Sequence, residues 1–179
     1  STTTTTIILP KSYTIAIVEG WNLLSTNFDI ARNGCQDMKI NVIYVYDRKT
    51  AELAKAAVSL NEIEKMFPKY ASDEIQYLKK APALMYVSGV QSCEVRITVP
   101  SASTYQKAMK AGRNLVQITP EMVGKKVSDI TSKCNSYGVY ELTPGKSASW
   151  SLLQATRTFG INDVGYSALV NVKDDCQLA

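Results

Sequence analysis

The feature that most constrains this chain is an internal repeat, marked by two copies of the pattern Gly-x-Asn-Leu. The copies begin at Gly20 and Gly112, and each is preceded at the same distance by a tyrosine, Tyr13 or Tyr105. Each half then carries a cysteine, a tyrosine-bearing apolar stretch, an Ala-Leu stretch and a closing cysteine, in that order. Because chance seldom gives agreement in order at five points, the sequence indicates a duplicated module.

Much of each module has the composition of β-strands. Lys39 to Tyr46 is rich in β-branched and aromatic residues, and Ala83 to Val87 and Cys93 to Val99 continue the pattern. Gly20 is expected to form a turn between a strand at Tyr13 to Val18 and the next apolar strand. We therefore predict a mainly β fold: two tandem antiparallel β-sandwich-like domains with short helical inserts and an extended N-terminal strand.

The two copies differ mainly in what they insert between strands. The first copy contains a predicted helical insert (48–80), because polar cap residues precede acidic residues at three places, Thr50, Asn61 and Ser72. The second copy has a shorter passage that contains Trp150, and short helices are expected near Glu121 and Ser128.

These patterns divide the chain into three parts. The predicted parts are an arm (1–12), a first β-domain (13–100) and a second β-domain (105–179), with a linker around Pro100 to Thr104.

The four cysteines are Cys35, Cys93, Cys134 and Cys176. None forms a Cys-x-x-Cys pair, which argues against zinc-ribbon and thioredoxin-like sites, and four cysteines allow three connectivities. The duplication singles out the pairing within each copy, Cys35 with Cys93 and Cys134 with Cys176. The alternative is that all four are buried free thiols in a reducing compartment.

Composition narrows the function classes. The chain has no histidine, which excludes Ser-His-Asp and Cys-His catalysis and histidine-based metal sites. The net charge is +4, but the basic residues are scattered, so no nucleic-acid partner is predicted. No apolar run approaches the roughly 20 residues of a membrane-spanning helix. The first residue is serine, which fits a secreted form trimmed of its leader, although an expressed fragment would begin in the same way.

The acidic residues do not form a recognisable catalytic pattern. The pairs Asp73-Glu74 and Asp174-Asp175 are adjacent in sequence, and neighbours on a strand point to opposite faces, so neither pair is predicted to act as an acid/base dyad. The lone glycines Gly89 and Gly145 lack phosphate-loop spacing. We predict no enzyme, and no catalytic residue, metal site or cofactor.

The motifs resemble a β-rich repeat of secreted and cell-surface proteins of archaea and bacteria. The resemblance is carried by Gly20-Trp21-Asn22-Leu23-Leu24-Ser25 and by Ala168 to Val172 with Asp174-Asp175-Cys176-Gln177-Leu178. Copy two departs from it at Arg113, where copy one has tryptophan. The resemblance implies an extracellular β-domain with a structural or adhesive role, including that of a subunit of a surface filament or pilus.

The two ends of the sequence suggest a means of assembly. Ile7-Ile8-Leu9-Pro10 resembles Ile97-Thr98-Val99-Pro100, the strand that follows the closing cysteine of copy one, whereas only three residues follow Cys176. Copy two is therefore expected to be one strand short. The predicted donor strand is Thr2, Thr3, Thr4, Thr5, Thr6, Ile7, Ile8 and Leu9. The predicted acceptor residues are Ala168, Leu169, Val170, Val172 and Leu178.

The sequence thus favours a subunit of an extracellular filament that polymerises head to tail with identical copies by strand insertion. Two other positions of the arm stay open: folded back onto its own first domain, or disordered. The alternative function is a monomeric adhesin or carbohydrate-binding module in which exposed Tyr and Trp side chains contact glycans. A viral coat or spike protein is a third interpretation.

Overall fold

A computed structural model describes residues 8–25, 35–47, 50–56, 82–99, 101–102 and 104–179, and the fold below is that of these residues. It is mainly β and antiparallel, which confirms the predicted fold class. Each half contains one four-stranded sheet.

The first half forms a sheet with the strand order β1-β4-β2-β3. Its strands are β1 (Tyr13–Ser25), β2 (Lys39–Asp47), β3 (Glu52–Ala56) and β4 (Pro82–Ile97). Alternate residues of β4 are buried at Ala83, Met85 and Val87 and again at Val95 and Ile97, as expected of a strand with one face toward a core.

The second half forms a sheet with the order β6-β9-β7-β8. Its strands are β6 (Gly112–Gln117), β7 (Ser136–Thr143), β8 (Ser149–Leu152) and β9 (Ser167–Val172). If the four strands of each sheet are numbered along the chain, their order across the sheet is first, fourth, second, third in both halves. The same strand order, reached twice, supports the duplication that the sequence indicates.

The pairing registers also agree between the halves. Gly20 lies opposite Val87 and Leu23 opposite Leu84, just as Gly112 lies opposite Val172 and Leu115 opposite Leu169. A further two-stranded ladder in the second half joins β5 (Ala108–Met109) to β10 (Cys176–Gln177). It has the same repeat position as the part of the β1–β4 pairing that lies beyond the register shift at Gly20, where Ile17 lies opposite Cys93. We call this part of each half the distal ladder.

The Gly-x-Asn motif has one local structure in both copies. Gly20 and Gly112 have φ angles of 104° and 103°, which favour glycine. Asn22 accepts from the N–H of Val18 (3.0 Å) and donates to the carbonyls of Val18 (2.8 Å) and Gly20 (3.0 Å). Asn114 makes the corresponding bonds to Lys110 and Gly112. The buried amide thus satisfies backbone groups that an irregularity in the strand leaves unpaired.

Two local predictions are corrected, and the two matched tyrosines differ in structure. Gly20 does not form a turn: it lies at a register shift within the continuous strand β1. The segment after Thr50 is strand β3, paired with β2, because tertiary pairing overrides the helix-start pattern. Tyr105 lies in the short helix α1 (Thr104–Lys107), whereas Tyr13 begins a strand. The helix starts expected at Asn61 and Ser72 lie outside the described residues.

Other local predictions are confirmed. A 3₁₀ turn covers Pro120–Met122, and the helix α2 covers Val127–Ile130, close to the two positions expected in the second copy. A second 3₁₀ turn covers Ile161–Asp163.

The disulfides join Cys35 to Cys93 and Cys134 to Cys176, which is the pairing that the duplication predicts. Each connects the segment before the second strand of its half to the distal ladder. Disulfides of this kind are compatible with a secreted protein. Within the described ranges, no helix has both the length and the apolar character needed to cross a membrane.

Each sheet has a separate core on one face. The core of the first half includes Ile15, Ile43 and Met85, together with Val164 from the second half. In the second half, β-strand residues such as Val139 and Val170 are covered by the segments around α2 and by Leu153 and Phe159. The opposite faces of the two sheets meet in a third cluster.

This third cluster contains the same three repeat positions from each half. The equivalent pairs are Leu23 and Leu115, Leu84 and Leu169, and Tyr46 and Leu142. Contacts between like positions are typical of a two-fold arrangement, here between two halves of one chain. The backbone adds to it, because Trp21 and Gly145 exchange two hydrogen bonds of 2.8 and 3.0 Å.

Candidate assembly surface and inter-sheet cavity

The predicted donor segment lies mostly outside the described residues. Of its members only Ile8 and Leu9 are described: they are 88% and 39% exposed and belong to no strand. Strand β1 begins only at Tyr13. The described part of the arm therefore presents aliphatic side chains to solvent, and whether the arm pairs with another copy stays a prediction.

The predicted acceptor residues are not open, and this prediction is corrected. Strand β9, which contains Ala168, Leu169, Val170 and Val172, pairs with β6 on one side and β7 on the other. Leu178 is buried, and its N–H donates to the carbonyl of Lys107. Because both edges of β9 are occupied, an incoming strand has no free hydrogen-bonding edge there.

Within the described part of the chain, β6 and β8 are the two outer strands of this sheet, and β8 has on one side the open edge that β9 lacks. Among the described strands β8 pairs only with β7. All four of its residues are exposed, with Trp150 at 44% and Leu152 at 61%. Trp150 and Leu152 alternate with serines, so both project from one face. An edge of this kind is a ready template for another strand.

Leu152 also packs against the neighbouring strand β7. Leu152 lies over Gly138, where an added Cβ would come within 2.7 Å of its Cδ1. Nearby on β7, Tyr137 is 61% exposed, and the Lys173 ammonium lies 5.1 Å from its ring centroid. The signal in the sequence was the alternation in Ser149-Trp150-Ser151-Leu152, which is too short to stand out among stronger strands.

A cavity of about 320 Å³ lies between the two sheets, next to the third cluster. Its apolar lining comes from both halves: Leu23, Tyr46, Leu53, Leu84, Leu115, Leu169 and Trp150. Two polar residues, Arg113 and Asn114, also line it. Because the exposed side chains of Leu53, Trp150 and Arg113 form part of the lining, the cavity opens at the surface.

A second cavity, of about 270 Å³, lies on the other side of the same contact. Its lining includes Tyr166, Ser167 and Asp163. The Tyr166 hydroxyl accepts from the N–H of Ala16 at 2.8 Å and donates to its carbonyl at 3.4 Å, which ties the two halves together. Burial raises the pKa of Tyr166, so the hydroxyl keeps the proton that it donates.

Asp163, which lines this second cavity, belongs to the best-formed ion pair among the described residues. Arg157 donates to both carboxylate oxygens of Asp163, at 2.7 and 2.9 Å, and the N–H of Gly160 adds a bond of 2.6 Å. Burial alone would raise the pKa of Asp163, but these hydrogen bonds together lower it below its ordinary value. The bond to Asp163 is also the main reason why the pKa of Arg157 is raised.

The remaining acidic residues of the described ranges show no grouping that would bind a metal. Among the described residues, no three carboxylate or cysteine side chains come together. Asp175 accepts from Lys110 Nζ and from the N–H of Ala111, both at 2.9 Å, and the bond from Lys110 is the main cause of its lowered pKa. Asp73 and Glu74 lie outside the described residues.

Comparisons of the chain with models of protein families, with curated proteins and with solved structures found no match.

Proposed function

We propose that this protein is a structural subunit of an extracellular filament or pilus, and that one copy adds its arm, Ser1 to Pro10, to strand β8 of the next copy. The observation that carries the proposal is the open edge of β8, with Trp150 and Leu152 exposed on one face. The exposed aliphatic residues Ile8 and Leu9 are the complementary element.

The chemistry of strand addition fits both elements. An incoming strand satisfies the backbone groups along β8, and its side chains alternate between the two faces of the sheet. In an extended arm Ile7 and Leu9 share a face, so both can pack beside Trp150 and Leu152. Full burial of each aliphatic side chain contributes about 1.5–3 kcal/mol before ordering costs. Polar Thr2 to Thr6 extend the arm with β-branched residues that favour a strand.

The symmetry of such a contact leads to a filament. The arm and β8 are different surfaces of one molecule, so the contact is heterologous and each copy still offers one free arm and one free edge. The two disulfides fit an extracellular location, where they would persist.

The proposal is tested by removing each element separately from the disulfide-bonded protein. We expect the wild type to form filaments in negative-stain electron micrographs. We expect deletion of residues 1–9, and separately Trp150→Lys, to yield monomers by size-exclusion chromatography with light scattering. A synthetic peptide of residues 2–10 should bind to the deletion variant but not to Trp150→Lys.

The repeat offers a matched control for the acceptor. Leu53 on β3 occupies the same repeat position as Trp150 and is equally exposed, at 43% against 44%. Leu53→Lys should still form filaments. Monomeric wild-type protein at high concentration, or filaments that survive deletion of the arm, would show that the proposal is wrong.

An adhesin is the second candidate, and one observation favours it. Trp21 packs against Tyr86 and Tyr44 on a single sheet face, with ring centroids 5.1 and 6.3 Å apart, and all three are only partly buried. Aromatic rings grouped in this way are a surface on which sugars can stack. In that case the arm-deleted monomer would bind glycans on an array as well as the wild type does, and Trp21→Ala would lose the binding.

A further inference from the structure

We infer that the 320 Å³ cavity between the two sheets is a binding site for an amphipathic anion, an aliphatic carboxylate whose tail enters the cavity and whose head is held by Arg113. The lining is mostly leucine and aromatic side chains from both halves. Pockets of this size with an apolar wall and few polar groups are typical of small-molecule sites. The cavity alone supports this inference, and Trp150 is the one lining residue that it shares with the proposed contact of the arm.

The polar groups of the cavity identify the charge of the ligand. Asn114 is already engaged: its Oδ1 accepts from Tyr46 Oη (3.3 Å) and from the N–H of Lys110, and its Nδ2 donates to backbone carbonyls. Arg113 is the only charged residue among the described ones that line the cavity, and no described residue forms an ion pair or hydrogen bond with its side chain. A guanidinium at the rim of an apolar cavity matches a carboxylate, which it can bind with two parallel hydrogen bonds.

The repeat shows that the fold does not require a cation at this position. The equivalent residue in the first half is Trp21, which packs against Tyr44 and Tyr86. In the second half the three equivalent positions hold Arg113, Tyr140 and Asn171. The same backbone therefore accepts an apolar cluster in one copy and an exposed cation in the other, so packing of the fold does not require the cation.

The volume of the cavity limits the length of the aliphatic tail that the ligand can have. About 320 Å³ accommodates roughly ten groups of the size of a water molecule, at about 30 Å³ each. A tail of roughly eight to ten carbon atoms fills that space. Decanoate is therefore the probe of choice, with decanol and decyltrimethylammonium as its neutral and cationic counterparts.

Isothermal titration calorimetry of the 179-residue protein tests the inference, with decanoate and decyltrimethylammonium kept below their micelle concentrations and decanol below its solubility limit. The wild type should bind decanoate at least about tenfold more tightly than decyltrimethylammonium, as expected for a charge-assisted contact. Arg113→Gln should weaken decanoate binding about tenfold and leave decanol binding unchanged. Lys125→Gln, which removes an exposed cation of the same half outside the cavity, should change neither.

A second variant tests the location of the tail. Leu53→Trp places a larger side chain at the rim, and it should weaken the binding of decanoate and decanol alike while the circular dichroism spectrum stays that of the wild type. The inference is overturned if the wild type binds no decanoate, if it binds the cation equally well, or if Arg113→Gln binds decanoate as the wild type does. Unchanged binding of both probes by Leu53→Trp would also overturn it.

Discussion

The two halves of the molecule have one backbone plan and different surfaces. Strand order, pairing register, the Gly-x-Asn bulge and the disulfide position are the same in both. On the face where the sheets meet, the leucine positions are retained. Beyond them, the first half has the partly buried cluster of Trp21, Tyr44 and Tyr86, and the second half has exposed Arg113 beside Asn171. The shared pattern therefore specifies the fold and the contact between the halves, while the positions beside these leucines on the same face can change.

A second difference lies in the distal ladder. In the first half the pairing of β1 with β4 continues to Tyr13 opposite Ile97, but in the second half it ends with Ala108 opposite Gln177. The helix α1 precedes this short ladder. The halves are therefore alike at the leucine positions of their contact, and they differ in this ladder and at the positions that neighbour those leucines.

The largest effect is expected from the disulfides, which test whether the halves are equivalent in stability. Their sequence separations are 58 and 42, so loop-closure entropy predicts that each stabilises the fold by about 4 kcal/mol. Cys35→Ala/Cys93→Ala and Cys134→Ala/Cys176→Ala should therefore lower the free energy of unfolding in urea by nearly the same amount. A loss confined to one pair would show that only one half limits the stability of the molecule.

The next largest effect comes from the two bulge glycines, which have the same φ in different surroundings. A Cβ on Gly20 would lie 2.2 Å from the carbonyl carbon of Gly145, whereas nothing lies within 4 Å of a Cβ on Gly112. Gly112→Ala should cost about 1 kcal/mol from backbone strain alone. Gly20→Ala should cost about 2 kcal/mol more, because the backbone of the other half must move. Equal losses in urea denaturation would mean that the halves do not contact each other through Gly145.

The duplication explains how much of this fold was accessible from the sequence. The positions of Gly20 and Gly112, and of the four cysteines, predicted the disulfide pairing because a repeated fold brings the same positions together twice. The mainly β class followed from β-branched runs such as Lys39 to Tyr46. These features depend on local composition and order, which a sequence shows directly.

The candidate sites depend on tertiary pairing, which the sequence shows poorly. Strand β8 is four residues long and half serine, so its place at the edge of the sheet follows only from its pairing with β7. The predicted acceptor, β9, has the more hydrophobic sequence, but in the sheet it is central and paired on both sides. The cavity beside Arg113 exists because two sheets meet, and no local pattern predicts that contact.

A smaller effect, and one that depends on pH, is expected for Arg157 and Asp163, which have no counterpart among the described residues of the first half. The pKa of Asp163 is lowered in the fold, so its contribution is present above the unfolded pKa of about 3.9 and is lost as pH falls through the folded value. Asp163→Asn should cost about 1–2 kcal/mol at pH 7, since both side chains are partly exposed.

The pH profile separates this pair from a surface charge. The difference between the wild type and Asp163→Asn in urea denaturation should shrink steadily below about pH 4. Asp175→Asn, which removes the exposed partner of Lys110, should leave stability unchanged at pH 7. A difference that stays constant down to pH 2 would show that Asp163 stabilises the fold through its shape and not its charge.

The smallest effect tests the side-chain hydrogen bond between Tyr46 of the first half and Asn114 of the second half. Tyr46 Oη donates to Asn114 Oδ1 at 3.3 Å, whereas the equivalent pair, Leu142 and Asn22, cannot form this bond. Tyr46→Phe makes the two sides of the contact alike, and Asn114 Oδ1 keeps its bond from the N–H of Lys110. The free energy of unfolding should fall by only about 1 kcal/mol.

Tyr140→Phe is the control, because it removes the hydroxyl of a tyrosine on the same face of the second sheet. It should change the free energy of unfolding by less than about 0.5 kcal/mol. A much larger loss for Tyr46→Phe would mean that the contact is held by this hydrogen bond and not by the leucines that the two copies share.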